Sequence, residues 1–219
     1  MSHTHSHDEI EFTQEYWDDR YGTAGGMDGA GQLWSGQPNA QLVAQAADLA
    51  PGTALDAGCG EGADAIWLAR RGWTVTAVDV SAVALERAAD AAAAAGDEVA
   101  RLITWRRADL SSWDPGPARY DLVSAQYMYL PLAELEALQS RLAAAVRPGG
   151  TLLVVGHHPG DMHATVSQAG LARTAEEIAA SLDRDEWEVT VADGVGRSVE
   201  WEGQPVTVRD TVLRAARRG

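Results

Sequence analysis

The run Ala54-Leu55-Asp56-Ala57-Gly58-Cys59-Gly60-Glu61-Gly62 joins a short apolar segment to three glycines at alternate positions. The apolar part, 53–57, reads as a brief buried strand, and 61–71 reads as a helix closed by Gly72. The glycines therefore sit at a strand-to-helix turn, where they allow dihedrals barred to other residues and a close backbone approach to a ligand.

Working outward, the same alternation repeats. A β-branched strand over 73–78 leads to an alanine-rich helix over 82–95, stopped by Gly96. Strands follow over 101–106 and 120–125, then a helix over 132–146 that starts beside Pro131. Arg147-Pro148-Gly149-Gly150 breaks the chain before a strand over 151–156. Repeated strand–helix–strand units with short connections imply a parallel sheet covered on both faces. Beyond it, Thr174 and Glu177 form a capping box for a helix over 175–182. Two extended segments, 187–192 and 206–215, have no helix between them and should pair as an antiparallel hairpin at the sheet's end. Upstream, Phe12, Tyr16, Trp17 and Tyr21 fall at helical spacing, a glycine-rich loop runs over 22–31, and a helix covers 38–49. The organisation is a mobile tail over 1–11 and one domain over 12–219, whose first part, 12–50, acts as a helical lid.

A plain dinucleotide loop has G-x-G-x-x-G with a diphosphate at the helix amino end. Here Asp56 precedes the glycines and Glu61 lies among them. Carboxylates repel a diphosphate but favour an ammonium or a sulfonium. S-adenosylmethionine (SAM) carries both cations, so Asp56, Gly58, Cys59 and Gly60 are assigned to its binding. Asp79 ends the second strand about 20 residues beyond the loop, where an acid grips ribose hydroxyls, with Val80 beside it. The alternative is a helix cap, a role that Ser81 fills equally well.

Arg107-Ala108-Asp109-Leu110 follows the third strand. With the two earlier motifs, it makes the chain resemble the class I SAM-dependent methyltransferases. The resemblance implies a Rossmann-like α/β fold: a mostly parallel seven-stranded sheet with helices on both faces and a final antiparallel strand. It further implies that Asp109 reads the adenine edge and that Leu110 packs on the ring. On its own, an Asp in this place is a turn residue. Glu15 to Tyr21, Trp34 and Asp185-Glu186-Trp187-Glu188 resemble the branch holding tellurite-resistance and thiopurine methyltransferases. In that branch an aromatic amino-terminal segment closes over SAM. Trp17 and Trp34 are then candidates for covering the cofactor, the alternative being ordinary packing of an amphipathic helix. Arg20 either meets a ligand carboxylate or forms a surface ion pair.

The fourth strand ends in Ala125-Gln126-Tyr127-Met128, at the edge where ligands of open α/β sheets bind. Gln126 stands where some relatives place a basic residue near the cofactor. The family's Asn/Asp-Pro-Pro-Tyr/Phe signature of nucleic-acid amino-methylation is absent. After the fifth strand comes His157-His158-Pro159-Gly160-Asp161-Met162-His163. Tyr127, His157 and His158 are the candidates for handling the methyl acceptor, by binding it or taking its proton. Otherwise they are loop residues. No metal is assigned to this loop, nor to His3, His5 and His7. Cys59 reads either as a thiolate favoured by the helix amino end or as a small side chain in a tight turn.

Composition bounds the rest. Of 219 residues, 46% are hydrophobic and 22% charged, as in ordinary globular chains. All 17 basic residues are arginine, and the net charge of −15 disfavours nucleic acid as a partner. A single cysteine allows no internal disulfide, and nothing resembles a signal peptide or a membrane span, so a cytoplasmic setting is expected. The expected activity is methyl transfer from SAM to a small molecule, either a thiol or chalcogen compound or a hydroxyl-bearing metabolite. Its rivals are a nicotinamide-dependent oxidoreductase and a non-catalytic SAM-binding partner protein. Oligomeric state is left open.

Overall fold

The computed structural model describes residues 12–23, 31–117, 119–128, 130–161, 172–201 and 204–219. The tail with His3, His5 and His7, most of the glycine-rich loop, and the Met162-His163 end of the histidine loop lie outside these residues.

Two helices, α1 (Gln14–Thr23) and α2 (Ala40–Ala46), precede the sheet. Then come β1 (Thr53–Ala57), α3 (Ala63–Arg70), β2 (Thr74–Asp79), α4 (Ala82–Ala95), α5 (Asp97–Ala100) and β3 (Ile103–Arg107). The second half holds β4 (Tyr120–Gln126), α6 (Leu132–Ala145), β5 (Val146–His157), α7 (Ala175–Ala179), β6 (Trp187–Trp201) and β7 (Gln204–Arg217). One seven-stranded sheet has the order β3-β2-β1-β4-β5-β7-β6. The first five strands pair in parallel, while β7 runs antiparallel to both of its neighbours, β5 and β6.

Both faces are covered, as near-continuous apolar strands require. On one face Leu42 of α2, Leu68 of α3 and Leu85 of α4 pack on Val75, Leu122 and Leu153. On the other, Leu138 and Leu142 of α6 and Ile178 of α7 pack on Leu55, Val123, Leu152 and Leu213. The Thr174–Glu177 capping box is present at α7, and Ser81 caps α4 by accepting the Ala84 N–H at 3.1 Å. Among the described residues no helix is long and apolar enough to cross a membrane.

Several boundaries differ from the sequence reading, the largest shifts being in β5 and the final hairpin. The Arg147–Gly150 run stays within β5, because buried Val146 pairs with Tyr120 before a register shift near Leu122. A Cβ on Gly150 would lie 2.9 Å from the Tyr120 carbonyl oxygen, so the close strand approach itself requires glycine there. The hairpin strands β6 and β7 also run several residues further. Their polar outer halves lack apolar alternation, but the ladder continues from Val195–Asp210 to Trp201–Gln204. The short helix α5 is additional.

Candidate active site

Strand order reverses between β1 and β4, and the carboxyl ends of these strands open the crevice where ligands of such sheets bind. The glycine loop crosses it. Gly58 and Cys59 donate their N–H groups to the Val78 carbonyl at 2.8 and 3.0 Å, tying the loop to β2. Gly58, Gly60 and Gly62 take φ of +75°, +50° and +82°, the left-handed region that side chains resist. Asp79 is buried at the end of β2, and its carboxylate accepts the N–H of Gly60 at 2.8 Å and of Ser81 at 2.9 Å. Burial raises its pKa, while the N–H groups of Ser81, Gly60 and Val80 pull it back down. Val80 thus contributes its backbone amide here.

Asp56 is 1% exposed, and one of its carboxylate oxygens has no hydrogen-bond partner. Burial, then the charges of Asp64 and Asp79, push its pKa well above the usual carboxylate range, against the Ala65 N–H. Asp56 stands in register with Ser124 of β4, and Gln126 lies two residues further along the same face. Gln126 donates to the Ser124 hydroxyl at 2.7 Å and leaves its own amide oxygen buried without a partner. Two orphaned acceptors at the edge of β1 and β4 are what an incoming cationic donor satisfies, since buried polar atoms normally find partners. These residues fit the ammonium of SAM.

Cys59 is not a thiolate site. Its Sγ is buried beside the Gly60 carbonyl, and burial, with Asp56 and Asp79 adding to it, pushes the thiol well up. Packing in the core overrides any effect of the helix amino end.

The amino-terminal segment is latched onto the loop by Glu61. Its buried carboxylate accepts the N–H of Leu33 at 2.9 Å and of Trp34 at 3.2 Å, and pairs with Arg87 at 3.0 Å. Glu61 is therefore engaged within the protein and is not a carboxylate facing a ligand cation. Trp34 is 40% exposed and donates its indole N–H to the Tyr21 hydroxyl at 3.0 Å. Both reach Gly60, where an added Cβ would meet the Tyr21 oxygen at 2.9 Å and the Trp34 nitrogen at 3.7 Å. Trp17 packs instead with Tyr21, Leu33 and Ala84, and Ser81 donates to Asp18 at 2.6 Å, fastening α1 to α4. Arg20 donates to the Tyr16 hydroxyl at 3.3 Å.

Asp109 is exposed, and one of its oxygens accepts the Ser111 N–H at 2.8 Å in a local turn. Leu110 is buried, 4.0 Å from a Cβ placed on Gly58. Arg141 of α6 holds the turn by donating to the Leu110 and Ser111 carbonyls at 2.7 and 2.9 Å.

Beyond Gln126 the chain turns on Tyr127, the only non-glycine with positive φ (+47°) among the described residues. The turn brings Met128 against the cofactor loop, with its sulfur 2.6 Å from a Cβ position on Gly58. The Tyr127 hydroxyl donates to Asp210 of β7 at 2.9 Å, and Arg197 of β6 bonds the other Asp210 oxygen at 2.6 Å. His157 lies against the Tyr127 ring, with centroids 4.7 Å apart. Burial lowers the His157 pKa, with Asp210 and Asp161 opposing and Arg197 adding to the shift. His158 goes elsewhere: its Nδ1 accepts the Gly160 N–H at 3.0 Å in the Pro-Gly turn, and its ring packs at Gly194. Tyr127, Met128 and His157 line a cavity between α6, α7 and the ends of β4 and β5, together with Leu135, Ile178 and Arg173. Among the described residues no group of three or more His, Cys, Asp or Glu is placed to hold a metal ion.

Arg173, Arg197 and Asp210 escaped the sequence reading, and Tyr21 and Met128 entered it without a role of their own at the site. Asp210 stands between Arg209 and Thr211 in a strand that alternates polar and apolar residues, so nothing local marked it. The others depend on contacts between residues far apart in the chain.

Residues 54–150 match the family described as a methyltransferase domain. Over 101 residues the chain is 40% identical to an uncharacterized methyltransferase of Mycobacterium tuberculosis, covering 46% of this chain and 48% of that protein. It is 31% identical over 126 residues to the 2-heptyl-1-hydroxyquinolin-4(1H)-one methyltransferase of Mycobacteroides abscessus, covering 56% of this chain and 54% of that protein. The chain thus spans about half the length of the curated relatives it matches. Its fold is that of TehB from Haemophilus influenzae, with a TM-score of 0.68 at 16% identity over 94% of this chain and 67% of that one. Residues 54–150 thus resemble a methyltransferase domain, set in a sheet that has the fold of TehB.

Proposed function

We propose that the protein transfers the methyl group of SAM to a small-molecule acceptor seated in the cavity beside Met128. The observation that carries this reading is Met128 itself. It touches the glycine loop at Gly58 and forms part of the cavity wall, so the two sites share one side chain.

Bound SAM supplies an activated methyl: the acceptor's lone pair forms a bond to carbon as the carbon–sulfur bond breaks, its electron pair staying on sulfur. The chain's own residues have four tasks. Asp56 and Gln126, each with an orphaned oxygen, hold the ammonium end. Asp79 and Val80 line the ribose position, with Gly58, Cys59 and Gly60 forming the loop beneath. Asp109 and Leu110 take the adenine. Trp34 and Tyr21, latched by Glu61 and backed by Trp17, cover Gly60 and exclude water, which makes the segment 12–50 a lid in function.

On the acceptor side, Tyr127 has its hydroxyl committed to Asp210 and Arg197, which leaves it to orient its neighbours. His157 lies in the cavity wall and takes the acceptor's proton, and His158 accepts the Gly160 N–H in its turn. The net charge of −15 supports a small molecule over a nucleic acid. The hydroxyquinolone named for the Mycobacteroides abscessus relative supports a hydroxyl acceptor over a thiol or chalcogen compound.

Calorimetry with SAM and NAD, followed by an acceptor screen for S-adenosylhomocysteine release, tests the reading. SAM binding with turnover on at least one small acceptor is expected. NAD binding without SAM binding would overturn it, and SAM binding with no turnover across phenols, acids, thiols and chalcogen oxyanions would leave a binding protein.

A further inference from the structure

The cavity beside Met128 has an electrostatic character at odds with the rest of the chain. Its wall is mostly apolar, with Leu135, Leu138, Val154 and Ile178 among the lining residues. Among the described residues, the ionisable side chains in that wall are Tyr127, His157 and Arg173, with no carboxylate, although acids outnumber bases 32 to 17 in the sequence. Arg173 is 13% exposed at its side chain. It donates to the Gln139 amide oxygen at 3.0 Å and to the Glu177 carbonyl at 2.9 Å. Glu136 pairs with it at 3.6 Å from a side chain 54% exposed, so solvent screens that pair. The neutral acceptors, the Gln139 amide oxygen and the Glu177 main-chain carbonyl, orient the guanidinium without cancelling its charge. A positive group held in an apolar wall favours an anion brought to it, because the surrounding low dielectric strengthens the attraction.

Resting on the methyl-transfer reading of this cavity, we propose that the acceptor is a compact, mainly apolar acid, a carboxylic acid or a phenol, whose oxygen faces Arg173 and His157. Arg173 stabilises the anionic form of that oxygen. An acid that enters protonated gives its proton to the His157 imidazole, and the oxygen keeps the electron pair that attacks the methyl carbon. Tyr127, fixed by Asp210 and Arg197, presents its ring as the apolar flank beside His157. The apolar wall accepts the hydrocarbon body of the ligand, and polyols, which carry no acidic group, gain nothing from Arg173.

The test uses benzoate and benzyl alcohol, which share a ring and differ in charge, titrated against the full chain by ligand-observed NMR. Benzoate should bind about fivefold more tightly or better, the scale of a partly screened ion pair. Arg173→Gln should bring benzoate to the affinity of benzyl alcohol and leave benzyl alcohol unchanged. Equal affinities in the wild type, or no binding of either probe, would overturn the proposal even if the variant fails to fold. SAM calorimetry on the same samples separates the two readings. SAM binding without a benzoate preference removes the acidic acceptor and leaves methyl transfer standing. A benzoate preference without SAM binding keeps the acid site and removes its methyl-transfer role.

Discussion

The Tyr127 hydroxyl donates a hydrogen bond to the fully buried Asp210 carboxylate at 2.9 Å, joining the loop after β4 to β7. This bond anchors an aromatic residue in a backbone region that costs about 1–2 kcal/mol for a side chain with a Cβ. It also fixes the direction in which Met128 leaves the strand. Tyr127→Phe is expected to lower stability by about 1–2 kcal/mol, since the bond is to a charged group. Turnover should fall more than SAM affinity. Denaturant unfolding, calorimetry and steady-state kinetics check the pattern, and unchanged turnover in a destabilised variant would confine Tyr127 to structure.

Glu61 gathers three donors from separate parts of the chain: the backbones of Leu33 and Trp34, and Arg87. Glu61→Ala leaves all three without their acceptor, a loss of about 1.5–3 kcal/mol for a charge-assisted cluster. The expected signs are faster proteolytic cutting near residues 31–36 and weaker SAM binding, with the sheet's far-UV signal retained. Glu61→Gln, which keeps an acceptor and loses the charge, should fall between. Equal protease sensitivity in all three proteins would show that the latch is not what holds this segment.

The Asp79 carboxylate accepts from Gly60 and Ser81, and the proposed ribose role would add a ligand to that same group. Asp79→Ala should weaken SAM binding at least about tenfold, or about 1.4 kcal/mol. Calorimetry giving wild-type affinity would contradict the ribose assignment.

Asp64 accepts the Asn39 N–H at 2.6 Å, yet burial raises its pKa to about 6. Asp56 is shifted in the same direction. A carboxyl whose pKa is higher folded than unfolded binds its proton more tightly in the native state. Its contribution to stability is full below the unfolded value near 3.8 and disappears as pH rises through the folded value near 6. The ligand-free protein should therefore lose melting temperature between about pH 4 and 6. Asp64→Asn should flatten that profile. SAM affinity should rise over the same range, as the carboxylates ionise to meet a cation. A melting temperature that climbs with pH through this window would refute the assignment.

The alternating strands and helices were readable because their signals are local. The bounds of β1 and α4 match the residue patterns at 53–57 and 82–95, and the capping box at Thr174 places the start of α7. The positive φ of Gly58, Gly60 and Gly62 follows from the turn they make, and Asp79 stands where strand length and loop spacing put it. Glu61 shows where such reasoning stops. An acid among glycines looks like a ligand group until the chain folds back and brings Leu33, Trp34 and Arg87 to it.

Periodicity, glycine placement and the order of elements were enough for the parallel sheet, the strand-end crevice and the acids beside the loop, since each depends on neighbours in the chain. The meeting of Met128 with Gly58, the Tyr127–Asp210–Arg197 cluster, the separation of His157 from His158 and the placing of Arg173 in the cavity wall are properties of packing. They join residues up to 83 positions apart, and no local pattern encodes which distant side chain fills the space beside another. That choice is made only when burial and hydrogen bonding are satisfied across the whole sheet at once.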